Sequence, residues 1–266
     1  MNTAWNEFKY SIAEVKKIRT IYDHMIANVR LSQEDVSDLL RAQLVNAVSA
    51  LDRFLHELVR IGIVESFLQQ RPLTNKFKSF VLTSQTIIKI LELERASTPP
   101  QSVEEDKTYW INKEVTENLK TLSFQHPNKI KDALSYIWKE EHKWQVIAKE
   151  MNLPGYTDND KQRYLEQTLV LIAERRNQMV HEADVDPSTH IRRSVSVAEI
   201  DVIISFIELF AETIFKQIKR PWKSHSTLTL LATQDLPTFL YYMIDPLKSW
   251  CWGAILFYPF KNSRFS

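Results

Sequence analysis

The chain has 266 residues, enough for one large domain or a domain with an appendage, and long enough to bury a substantial core. Its formal net charge of +1 gives no global attraction to nucleic acid, so any such binding has to rest on local patches. Only three glycines (Gly62, Gly155, Gly253) accompany abundant Leu, Ile, Lys, Glu and Gln, which predicts an all-α fold; with no Gly-rich phosphate loop, G-x-G-x-x-G or G-x-S-x-G, the sheet-based enzyme classes are disfavoured.

The lone cysteine, Cys251, rules out an intramolecular disulfide and fits a reducing, cytoplasmic location. No basic segment followed by an apolar one opens the chain, so no secretion signal is expected. The most apolar stretch, 236–260, is interrupted by Pro237, Asp245, Pro246, Lys248 and Pro259, which predicts no transmembrane span.

A first helix is expected over about 4–28, with Phe8, Ile12, Val15, Ile18, Tyr22 and Ile26 on one face and Trp5 packed at its start. Lys16, Lys17 and Arg19 read as its solvated side. Ser32 and Asp35 resemble a capping box that opens a long second helix, whose Leu40, Leu44, Val48, Leu51, Leu55 and Leu58 keep near-heptad register until Gly62 bends or ends it. Asp52, His56 and Arg60 run beside that seam, either projecting into a shared cleft or forming an intrahelical ladder. After Pro72 a third helix is expected over 80–93, with Val81, Ile87, Ile88 and Leu91 buried.

The stretch 95–107 reads as a linker, with Ser102 and Glu105 as a capping box for the next helix. Helices are then expected near 107–122, 127–142 and 143–151, with Trp110, Trp138 and Trp144 as core. Asp158-Asn159-Asp160 lacks the glycine and glutamate of a calcium loop, Arg163 and Leu169 standing there instead, and reads as a helix cap. A strongly periodic helix comes next, over about 160–181, then a polar loop over 184–194. Ser196 and Glu199 form a capping box for a last helix over 197–219, whose Ile200, Ile203, Ile204, Ile207, Phe210, Ala211 and Ile214 suit the core.

Chemistry concentrates at Glu174-Arg175-Arg176-Asn177-Gln178-Met179-Val180-His181-Glu182. Leu165, Leu169, Ile172 and Met179 recur at helical spacing and Arg176 falls on the same line, where a cation needs a reason. Asn177 and His181 are neighbours on another face. On a helix that persists, Arg176 and His181 lie about 140° apart at about 100° per residue, so either fraying or two facing motif helices would bring them together. The histidines show no H-E-x-x-H or paired-cysteine spacing, so neither a metal nor a cofactor is expected.

The pattern Arg176-Asn177-x3-His181, followed by a final amphipathic helix, resembles the catalytic signature of the HEPN superfamily. The run 41–59 looks like the upstream helix of its RiboL-PSP branch, and the resemblance spans about 32–219. The same Arg-to-His spacing occurs at Arg19/His24 and Arg220/His225, but Thr20 and Pro221 replace the polar follower that Arg176 has in Asn177. The resemblance implies a HEPN-like helical bundle over 1–220 with a helical insertion at about 95–155, leaving 221–266 as a hydrophobic, aromatic-rich C-terminal extension.

It further implies a metal-independent endoribonuclease that needs no cofactor. His181 would move protons, Arg176 stabilise phosphoryl charge, Asn177 orient substrate or imidazole, and Asp52 act as a supporting group. Arg192 and Arg193 are candidate RNA-binding residues, or else pair with Asp184 or Asp186. Family resemblance also implies a homodimer with composite sites and a bacterial defence or toxin-antitoxin setting, with an RNA substrate and an inhibitory or antitoxin partner. The alternative is a non-catalytic HEPN-like helical module that binds RNA or protein. There Arg176 forms a buried ion pair, with Asp52 or Glu57, and His181 caps its helix. Whether His181 lies in a cleft or is sealed in the core separates the two.

Overall fold

The computed structural model describes residues 1–95, 102–103 and 106–219. The expected extension at 221–266, the stretch 97–101 of the linker and the Glu105 half of its capping box lie outside them, as do Arg220 and His225. Among the described residues the chain is all-α, with one isolated antiparallel bridge, Val185 to Arg192, in place of any sheet.

Helix α1 (Asn2–His24) buries Ala4, Phe8, Ile12, Val15 and Tyr22 at three-to-four spacing. It runs on through a π-helical turn, Met25–Val29, and stops where Arg30 turns left-handed at φ 62°. As expected, Trp5 packs at the start of α1, stacked between Phe8 (5.5 Å) and Phe215 (5.1 Å) with its edge toward Phe54. The three lysine and arginine positions on its outer side take acidic partners: Lys16 with Glu208, Lys17 with Glu14, and Arg19 with Asp201 and Asp23.

Helix α2 (Ser37–Phe67) is the hub, packing against α1 and four later helices. The Ser32–Asp35 box forms, the Asp35 amide donating to Ser32 Oγ at 3.2 Å, but a turn separates it from α2. Leu44, Leu55, Leu58 and Ile63 are fully buried, and each side chain so placed contributes roughly 1.5–3 kcal/mol. Gly62 neither bends nor ends α2. A Cβ there would meet Ile137 Cγ2 at 2.5 Å, so the missing side chain admits a turn of the insertion against the helix.

The expected third helix is split into α3 (Asn75–Lys78), capped by Thr74, and α4 (Ser84–Arg95). Val81, Ile87, Ile88 and Leu91 are exposed rather than buried, because α4 lies at the periphery and packs chiefly on α5, with Thr86 buried and its hydroxyl donating to Glu114 at 2.7 Å.

The insertion contributes α5 (Lys107–Leu119), α6 (Pro127–Leu134) and α7 (Lys143–Glu150). Helix α6 stops eight residues short of the expected 142. There Thr74 Oγ1 donates to the Tyr136 carbonyl (3.1 Å) and Arg71 Nη1 to that of Ile137 (3.2 Å), and Ile137 enters the core at Gly62. Trp144 is buried against Phe210, whereas Trp110 and Trp138 are half-buried. Helix α8 (Asp158–His181) opens with a capping box between Thr157 and Asp160, and α9 (Val197–Lys219) carries the expected apolar face into the core. No helix among the described residues is long and apolar enough to cross a membrane.

Candidate functional site

The last turns of α8 separate two consecutive arginines. The buried one is Arg175, not Arg176, which corrects the assignment made from the apolar stripe: the buried line runs Leu165, Thr168, Leu169, Ile172, Arg175. A 3.6-residue period passes between positions 175 and 176, and two acids settle which guanidinium turns inward. Arg175 Nε donates to Glu199 at 3.1 Å, while its Nη atoms reach Asp184 and the Ser194 carbonyl. Arg41, from α2, donates to the same Asp184 carboxylate at 2.6 Å and to the Arg193 carbonyl at 2.6 Å.

Asp184 is completely buried between the two guanidiniums. Burial pushes the Glu199 carboxyl above its ordinary pKa, outweighing the opposite pull of Arg175. The cluster fixes the chain reversal after His181. Ala183 and Asp184 are left-handed, at φ 52° and 60°, and the amides of Glu182 and Asp184 both donate to the Gln178 carbonyl, at 3.1 and 2.9 Å.

Arg176 turns the other way, into a cleft of about 690 Å³ between the end of α8 and the segment joining α5 to α6. Asp52, Arg176, Asn177 and His181 all line it, together with Ser123, His126 and Lys129 from the facing wall. Helix α8 persists through His181, so fraying is not what brings the motif together. The cleft takes in a wide arc of the helix, from Val170 to His181, and thereby holds both Arg176 and His181 within one protomer.

Among the described residues Arg176 forms no buried ion pair. Asp52 instead accepts the Phe124 amide at 2.5 Å, and Glu57 is taken by Arg60. Arg176 Nη1 donates to Asn177 Oδ1 at 3.1 Å, and its buried Nε has no hydrogen-bond partner among the described residues. A buried donor left unmet costs about 1–3 kcal/mol, more when charged, so its retention calls for an anionic acceptor as its natural complement. His181, the last residue of α8, is exposed at the cleft and not sealed in the core.

Asp52 lines the cleft but acts on its wall. Besides accepting the Phe124 amide, it lies 3.8 Å from His56 Nε2, and the His56 ring stacks on Phe124 at 4.2 Å. The expected Asp52–His56–Arg60 ladder therefore stops at His56, since Arg60 turns to Glu57 and Asn112. Arg192 and Arg193 do not line the cleft. Arg192 pairs with Asp38, and Arg193 pairs with Glu182 at 3.0 Å and, as the sequence allowed, with Asp186 at 3.8 Å, and donates to the Val185 carbonyl. Asp184, offered as a partner for them, is consumed by Arg41 and Arg175.

Sequence reasoning missed His126, Ser123 and Lys129 as cleft residues and Arg41, Arg175 and Asp184 as a cluster. His126-Pro127 does mark a helix start, but nothing local tells which wall that start will form. Among the described residues no group of three or more His, Cys, Asp or Glu is arranged to hold a metal ion.

The chain is thus an all-α domain whose hub helix joins a buried ion cluster through Arg41, with an Arg-Asn-x3-His sequence at the end of α8 opening onto a cleft lined also by Lys129 and His126. The chain belongs to the RiboL-PSP-HEPN family, whose model matches residues 9–220. No curated protein and no solved structure matches it.

Proposed function

We propose that the cleft cleaves RNA without a metal, by attack of a ribose 2′-hydroxyl on its adjacent phosphate. The observation that carries this is the convergence of Arg176, with an unmet buried Nε, and an exposed His181 in one cleft. The Arg176 guanidinium offers planar donors to phosphoryl oxygens as their charge grows, and Lys129 adds a second cation. Asn177 holds Arg176 through its side-chain carbonyl, which makes it an orienting residue. His181 is the proton carrier, an imidazole being the side chain whose ordinary pKa lies nearest neutrality. Asp52 supports the site by fixing the facing wall through Phe124.

Arg192 takes a flanking phosphate by exchanging its exposed Asp38 partner, a pair worth about 0–1 kcal/mol. Family membership supports the reading, because HEPN domains are frequently ribonucleases, and with it a restrained homodimer in a defence or toxin-antitoxin setting. The composite site of that dimer would set two such clefts face to face, each protomer bringing its own Arg176 and His181.

The test is cleavage of a mixed RNA by purified protein in excess chelator, comparing wild type with Arg176→Ala and His181→Ala variants of unchanged circular dichroism. Both variants are expected to lose at least about 100-fold in rate. Undiminished cleavage by either would move the site elsewhere, and a folded wild type that binds RNA without cutting it would favour the non-catalytic module.

A further inference from the structure

Cleavage of this kind requires two proton transfers. The O2′–H bond breaks as the O2′–P bond forms, and the P–O5′ bond breaks as O5′ gains a proton. The attacking and leaving oxygens sit roughly in line across the phosphorus, so one imidazole cannot touch both in a single step. Helix α8 brings one histidine to the cleft. The second histidine there is His126, which arrives from the facing wall, within the insertion.

We propose that His126 is a further catalytic residue, protonating the leaving 5′-oxygen while His181 takes the proton of the 2′-hydroxyl. The assignment rests on the ribonuclease reading of the cleft. His126 is exposed, and its backbone is well fixed: it lies two residues from Phe124, which is held by Asp52 at 2.5 Å and stacked on His56, and the following Pro127 and Ile130 are buried.

The ring is also oriented. As the N-cap of α6, its Nδ1 accepts the Asn128 amide at 3.4 Å, which ties one edge of the ring to the start of the helix. The step uses the imidazolium form of His126, which carries a proton on each ring nitrogen. Transfer of one of those protons to O5′ leaves a neutral ring, which takes a proton back from water before the next cleavage. The other cleft groups suit this role less. Asp52 is engaged by Phe124, Arg176 and Lys129 serve phosphate charge, and Glu174 as a carboxylate only accepts.

The experiment compares two short RNAs that differ at the cleaved bond, one with the natural 5′-oxygen and one with a bridging 5′-sulfur, whose thiolate leaves without a proton. His126→Ala, and His126→Asn as a variant that keeps a side-chain acceptor for capping α6, are assayed beside His181→Ala. The His126 variants are expected to be about 100-fold slower on the oxygen substrate yet within about fivefold of wild type on the sulfur one, with His181→Ala slow on both. Equal loss on both substrates, or His126→Asn within about threefold of wild type on the oxygen substrate, would overturn the assignment while leaving the ribonuclease reading intact. A wild type that cuts neither RNA would overturn both.

Discussion

Arg175 and Arg176 are adjacent in α8 and face opposite environments: one is buried against Asp184 and Glu199, the other lines a cleft, its Nε without a hydrogen-bond partner among the described residues. Substitution at the two positions is accordingly expected to separate stability from activity. Arg175→Met leaves Asp184 with a single buried partner, Arg41, and is expected to cost about 3–5 kcal/mol by urea denaturation. Arg176→Ala breaks no ion pair among the described residues and removes the unmet buried donor, so it is expected to leave stability unchanged or raise it by up to about 1–3 kcal/mol while abolishing most cleavage. Equal destabilisation by both would contradict this division.

Asp184→Asn tests the same cluster from its acidic side. It keeps the shape but removes the charge that two buried guanidiniums share, so a loss of about 3–5 kcal/mol is expected. Because Asp184 also sets the reversal after His181, NMR shifts of the His181 ring should move as well.

Much of this division was legible in the sequence, and its sign was not. The apolar period of α8 marks an arginine as misplaced, but Leu165, Leu169 and Ile172 are compatible with either position 175 or 176 facing inward. The choice is made by Asp184, nine residues on, Glu199, visible locally only as a capping-box residue, and Arg41 on a distant helix. The Arg-Asn-x3-His pattern, the last helix and the α1 face could be read because each is periodic and local. The exposed face of α4 was misread for the converse reason: an amphipathic period shows that a helix has an apolar side, not that anything covers it.

Asp52→Ala is expected to cost about 1–3 kcal/mol, since the Phe124 amide loses a charged acceptor. Asp52→Asn retains an acceptor oxygen and should recover part of that loss in thermal denaturation. If Asp52 positions the His126 wall, both changes lower the cleavage rate, the alanine variant more; an unchanged rate would remove Asp52 from the site.

Gly62→Ala places a methyl group where Ile137 already sits, at 2.5 Å. Helix propensity alone would make the change stabilising by about 1 kcal/mol, but the close approach reverses the sign and predicts a loss of about 1–3 kcal/mol. The double variant with Ile137→Ala, which removes the obstructing atoms, should show a favourable coupling in a double-mutant cycle.

The Asp186 carboxylate, held chiefly by the Ser188 hydroxyl and then by the Thr189 and Ser188 amides, titrates at about 2. Its folded pKa is depressed, so the stabilisation it gives is complete above the unfolded value near 4 and fades as pH falls toward about 2. Carboxyl-carbon NMR should find that low midpoint in wild type and a rise toward the ordinary value in Ser188→Ala; an identical midpoint in both would refute the cause given.

The most direct measurement of the central claim is the chemistry of the ends left on a single-site RNA substrate in excess chelator, beside the same oligomer carrying one 2′-deoxyribose at the cleaved position. The account predicts a 2′,3′-cyclic phosphate and a 5′-hydroxyl from the RNA, and an intact deoxy-substituted strand. Cleavage of the deoxy-substituted strand, or ends bearing a 5′-phosphate, would show that the 2′-hydroxyl is not the nucleophile and would contradict it.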